Sequence, residues 1–211
     1  MNKKILQSSR RRPGQNFLFI GSFTVPLCIY IILSLYLKTW IVDDAGISFV
    51  YSRSLAEGFG LVAQPGAERV EGYSNFLWVL IYTPFFIINF FDPVITPKII
   101  SGIFVALLFY FITKIFIQLK RSSISGFIVN TLVAFNAPFI IWTCSGLENA
   151  LYVLLIIVII YIALKYSFEM KKKLVITGAI ITFLICITRP DGILFTLIFP
   201  IAILSTREKL K

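Results

Sequence analysis

The stretch FLWVLIYTPFFIINFF, residues 76–91, decides how this chain is threaded through a bilayer. At 1.5 Å per residue a helix over it reaches about 24 Å, short of a hydrocarbon core of about 30 Å. Pro84 also removes a helical hydrogen bond from its middle. If the stretch crosses, every later connection changes sides. If it does not, it is a juxtamembrane helix at the surface.

A bilayer enters the argument through composition. The 211 residues are 58% hydrophobic and 14% charged, outside the range of soluble domains and inside that of polytopic membrane proteins. A net charge of +10 in a soluble domain would suggest nucleic acid. Here the cations lie in short clusters between apolar segments, the pattern that orients membrane spans, and no nucleic-acid partner is expected. Cys28, Cys144 and Cys186 sit in or beside apolar segments without metal-ligand spacing and read as packing residues. The absence of histidine leaves acid and base work to Asp, Glu, Tyr or Lys.

Outward from 76–91, apolar segments at 17–37, 98–118, 124–142, 149–166, 174–187 and 192–205 read as six spans. With 76–91 not crossing, the cytoplasmic segments hold Lys3, Lys4, Arg10, Arg11, Arg12, Lys120, Arg121, Lys165, Lys171, Lys172, Lys173, Arg207, Lys209 and Lys211, fourteen cations. The outside then keeps five, Lys38, Arg53, Arg69, Lys98 and Arg189, with Lys114 inside a span. If 76–91 crosses, the counts become seven inside and twelve outside, against the positive-inside rule. The expected fold is therefore all-α, a polytopic bundle of about six spans with both termini cytoplasmic. Residues 1–16 form a basic tail, 17–205 the membrane module and 206–211 a second tail, and the first span is uncleaved. The last pair of spans is short, and a re-entrant hairpin is the alternative there.

On this threading a first external loop, 38–97, carries most of the polar chemistry. Asp43 and Asp44 open it. They read either as a solvated helix cap, with Asp44 at the N-terminus, or as a pair of repelling carboxylates, one suited to act as general base. Ile47, Val50, Tyr51 and Leu55 follow at helical spacing, predicting a short helix on the membrane surface. Gly58 and Gly60 end it, and Pro65-Gly66 marks a turn. Arg53, Glu57, Arg69, Glu71, Tyr73 and Asn75 are groups able to hold a phosphate and a sugar. EGYSNFLW, 71–78, reads either as an interfacial aromatic anchor through Tyr73 and Trp78 or as the lip of a sugar site. Beyond the loop, SGLEN at 145–149 places Glu148 between two apolar runs, where it is a loop acid or the wall of a wet cavity. TRPDG at 188–192 puts Arg189 and Asp191 around a proline turn, as a salt-bridged turn or a phosphate clamp. Eight of the ten acids fall on the external face.

Taken in order, WIVDDAGISFVYSRSLAEGFG, PGAERVEGYSNFLW, SGLEN and TRPDG resemble the N-terminal half of the C-type integral-membrane glycosyltransferases. The similarity is greatest to the bacterial arabinofuranosyltransferase-like branch, and more distant to the aminoarabinose transferases of lipid A and the protein O-mannosyltransferases. It spans about residues 40–195. The resemblance implies an extracytoplasmic site, a polyprenyl-phosphate-linked sugar as donor, and a glycan, lipid or protein hydroxyl as acceptor. It matches Asp43, with Asp44 beside it, to the catalytic acid pair, Glu148 to a second acid of the site, and Arg189 to the cation at the donor phosphate. Gly46 stands where a bulky residue is usual. Family members are longer, so the chain is expected to correspond to an N-terminal portion. No cofactor is assigned, although the acids are of the type that can hold a divalent metal. Two rival readings use the same residues: a transporter or flippase of lipid-linked sugars, which calls for broken helices or repeats, and a non-catalytic membrane subunit.

Overall fold

The computed structural model describes residues 13–66 and 68–208. The basic stretch 3–12 and the residues 209–211 lie outside them. Among the described residues all regular structure is helical. The elements are α1 (Pro13–Leu35), α2 (Ala45–Ala56), α3 (Phe76–Ile87), α4 (Ile95–Gln118), α5 (Ser123–Ala134), α6 (Ala137–Thr143), α7 (Asn149–Glu169), α8 (Lys172–Thr188), a 3-10 segment (Pro190–Leu197) and α9 (Ile198–Glu208).

Three helices, α1, α4 and α7, are long and apolar enough to cross a membrane, and α5 with α6 makes a fourth if that bent pair is one span. Six continuous spans of that length are not found among the described residues. The expected span 124–142 breaks at Phe135–Asn136, where the axis turns by 72°. The Asn136 side chain accepts from Phe139 N at 2.9 Å and Pro138 lies in the first turn of α6, so the chain stops one helix and caps another. α8 has 17 residues. The expected span 192–205 begins as a 3-10 segment behind Pro190 before α9 takes over, since proline cannot extend the preceding ladder.

α4 and α7 form the spine. On one side Trp78, Tyr82, Leu151, Ile159, Ile185 and Phe199 make a core joining α3, α7, α8 and α9. On the other, Tyr30, Val105, Phe109, Ala134 and Ile140 join α1, α4, α5 and α6. Where α1, α4 and α5 cross, Asn130 Nδ2 donates to Ser22 O, Phe109 O and Thr113 Oγ1, a polar knot of the kind that binds helices together in lipid. Gly126 permits that crossing, because a Cβ there would lie 3.0 Å from Thr113 Cα. Cys144 is buried, but Cys28 is on the exposed face of α1 and does not pack internally.

Both ends of α3 lie at one end of the bundle. Its start is tied to the loop before α7 through Asn75 and Glu148. Beyond its last turn, Phe91 rests on Phe49 of α2, a ring that itself reaches Gly146 of that same loop. α4 then begins beside the end of α1, with Lys98 Nζ donating to Lys38 O. Residues 76–91 thus form a single helix of 12 residues, too short to count among the candidate spans, with both flanks against the loop before α7 or the helix beside it. α2 forms as its spacing predicts. Ser48, Ser52 and Tyr51 are buried while Ile47 and Val50 are exposed, because the protein offers hydrogen bonds to the serines: Ser52 Oγ donates to Ser48 O at 2.6 Å and Val79 O at 3.0 Å.

Candidate functional site

The four sequence segments singled out above meet at this end of the bundle. α1 delivers the acid pair just past its C-terminus, α3 starts with Asn75, α7 starts with Glu148, and α8 finishes at Arg189. Val42 N donates to Ser145 O at 3.0 Å, joining the loop of Asp43 to SGLEN. Gly146 has φ +91°, a left-handed backbone, and a Cβ there would come within 2.8 Å of Ala45 Cβ. Only glycine allows the two loops to approach so closely.

Glu148 is the centre of the cluster. Its side chain is only 7% exposed. It is held by two donors, Asn75 Nδ2 to Oε2 at 2.7 Å and Arg189 Nη1 to Oε1 at 3.0 Å. Asn75 is fixed in turn by Ser48, whose Oγ accepts from Nδ2 at 2.9 Å. Arg189 spends a second arm on Asp191, Nε to Oδ1 at 3.0 Å, and its guanidinium lies 5.4 Å from the centre of the Tyr152 ring. A buried carboxylate survives because both oxygens are charge-assisted or amide hydrogen-bonded. Burial works against the Arg189 charge, but hydrogen bonding and attraction from Asp191, with attraction from Glu148, lift its pKa above the ordinary value. Arg189 Nη2 makes no hydrogen bond among the described residues.

Asp43 and Asp44 differ. Both are exposed, neither is ion-paired among the described residues, and Asp43 Oδ1 accepts only from Asp44 N at 3.2 Å. Asp44 precedes α2 without capping it through its side chain, so the cap reading fails: its αR backbone, φ −56° and ψ −25°, is not the extended geometry a side-chain cap uses.

The remaining expected residues separate. Tyr73 lines a cleft of about 620 Å³ with Glu71, Ser74 and Phe76 on one wall and Cys186, Ile187 and Pro190 on the other. Its ring packs on Tyr51 at 4.8 Å. Burial, with the negative charge of Glu71 behind it, raises the Tyr73 pKa and keeps its phenol a donor at neutral pH. Arg69 borders the adjoining hollow with Glu71 and Tyr73. Arg53 lies apart, its Nε paired with Glu57 Oε1 at 2.7 Å on the exposed side of α2. Among the described residues no three His, Cys, Asp or Glu side chains group as they would around a metal ion.

Three participants carried little sequence signal. Ser48 and Tyr152 sit at helical positions without a motif. Trp78, read as an interfacial anchor, is fully buried, and its Nε1 donates to Gly146 O at 2.9 Å, an oxygen that also accepts from Tyr82 OH at 3.1 Å. An indole enclosed in a core needs such an acceptor. No family model, no curated protein and no solved structure matches the chain.

Proposed function

We propose that this chain is a module of an integral-membrane glycosyltransferase, transferring a sugar from a polyprenyl-phosphate donor to a hydroxyl of an extracytoplasmic glycan, lipid or protein. The observation that carries the reading is the Glu148 cluster, in which Asn75 and Arg189 converge on one buried carboxylate beside the loop of Asp43. In the proposed reaction Asp43 takes the proton of the acceptor hydroxyl while its oxygen attacks the anomeric carbon. The bond from that carbon to the phosphate oxygen breaks, and polyprenyl phosphate departs. Asp44 supports the base, and Arg189 stabilises charge growing on the departing phosphate. Asp191, half exposed where Glu148 is buried, is the partner Arg189 exchanges for the phosphate, since an exposed pair contributes little. The cleft beside Tyr73 and Glu71 takes the sugar. General-base work is typically worth 10²- to 10⁴-fold, so Asp43→Asn is expected to lower transfer in native membranes by about that factor with polyprenyl-phospho-sugar supplied. Near wild-type transfer removes the base assignment.

The 72° break between α5 and α6 favours a second reading, a flippase of lipid-linked sugars, since transporters use broken helices. Sealed vesicles separate the two. A flippase moves the labelled lipid-linked sugar between leaflets with Asp43→Asn in place and makes no new glycosidic bond.

A further inference from the structure

At the opposite side of the α4–α7 spine the bent pair leaves a gap. α5 packs on α1 and α4, while α7 packs on α4 and α8, so the turn into α6 opens a groove of about 420 Å³. Its walls are wholly apolar and include Ile112, Phe116, Val129, Val133, Val153 and Ile157. All of these but Ile112 are half-buried, as expected of a furrow open along its length to the hydrocarbon.

Its lower wall leads to cations. Phe116 lies in the last turns of α4, and Arg121 N donates to Phe116 O at 2.8 Å. Lys120, in the left-handed conformation with φ +57°, turns the chain out of the helix there. Lys120 and Arg121 are exposed, and neither is ion-paired among the described residues, whereas Lys165 and Lys171 nearby in the fold's basic end face Glu169. An apolar furrow ending at unpaired cations on a membrane protein matches a chain with a negative head, and basic positions of this kind draw anionic lipid.

We propose that the groove holds one acyl chain of an anionic glycerophospholipid, with the phosphate met by Lys120 and Arg121. The site is separate from the Glu148 cluster, because its head lies at the other end of α4 from Lys98 and Lys38, and it stands whether or not the chain transfers sugar. The lipid fills the furrow that the α5–α6 bend creates and braces α5 against α7.

The test is native mass spectrometry of the full chain released from detergent, loaded with phosphatidylglycerol or with phosphatidylcholine of the same acyl length. One phosphatidylglycerol per chain is expected to be retained in preference to phosphatidylcholine. Lys120→Gln with Arg121→Gln, both surface changes, should weaken retention on the order of tenfold. Val129→Trp should displace the lipid by filling the furrow. Equal retention of phosphatidylcholine, or undiminished retention of phosphatidylglycerol by the double variant, means annular lipid only and overturns the proposal. Preferential capture of polyprenyl phosphate lost in the same variants overturns it too, by giving the groove to an isoprenoid chain.

Discussion

Two acid-bearing loops lie against each other and treat their carboxylates in opposite ways. In 145–149 the loop buries Glu148 and meets both of its oxygens with donors. In 42–45 the neighbouring loop, hydrogen-bonded to the first through Val42 and Ser145, leaves Asp43 and Asp44 exposed. A buried carboxylate with a donor on each oxygen holds structure and orients its donors. One facing solvent is free to exchange a proton. The contrast fits Glu148 to holding Arg189 and Asn75, and the proposed function draws its base from the exposed pair.

Breaking the buried side should have the largest effect on stability. Arg189→Met strands Glu148 without its cation, and loss of one partner of a buried pair costs about 3 kcal/mol, the lower end of the usual range because Arg189 is a third exposed. A fall in unfolding midpoint in mixed detergent checks this, and Glu148→Gln added to the same chain should restore much of it. Gly146→Ala comes next, at about 2 kcal/mol, from a left-handed φ and a methyl forced against Ala45. Removing one donor to the Gly146 carbonyl with Tyr82→Phe should cost about 1 kcal/mol, because Trp78 still occupies that oxygen. On the exposed side, Asp44→Asn should change stability by less than about 0.5 kcal/mol, which unfolding curves alongside the wild type will read. A loss as large as that of Arg189→Met would erase the distinction between the loops.

The smallest effect sharpens the comparison from a third acid. Exposed Asp92 accepts from Val94 N and Ile95 N at 2.8 and 2.7 Å, and these bonds hold its carboxyl below the usual aspartate value. Its folded pKa being depressed, its contribution is present above the unfolded value and fades as pH falls through the folded one. Protection factors of the amides at the start of α4, corrected for the intrinsic pH dependence of exchange, should therefore fall on acidification in wild type and stay level in Asp92→Asn.

Much of this architecture was legible from length and charge. Residues 76–91 read as too short to span, and the helix there has only 12 residues; the threading grouped Asp43, Glu148 and Arg189 on one side, and the helices bring their segments together. The number of spans was less so. Asn136 followed by Pro138 is a cap signal, but inside an apolar run hydropathy outweighed it, and although Pro190 was read as a turn, the 3-10 segment running on from it to Leu197 was not. The partners of Glu148 were beyond sequence reading, because Asn75 is 73 residues away and its amide had no periodicity to announce it. The helix of α2 followed from its apolar spacing, but the inward turn of Ser48 and Ser52 had no signal, because the acceptors of Ser52 come from the helix itself and from Val79 of another helix. Ile47 and Val50 are left exposed, and the protein keeps the groups that need donors and acceptors.

The carbonyl of Gly146 also sets an order of assembly. Trp78 and Tyr82 leave the ribosome before it does, with the indole and its acceptor 68 residues apart, so α3 can pack on α2 through Ser52 and Phe49 but lacks the acceptor for its two aromatic donors while the first half of the chain is being made. Its final seat is available only after α7 has begun to emerge. The early part of the protein is thus completed by the late part.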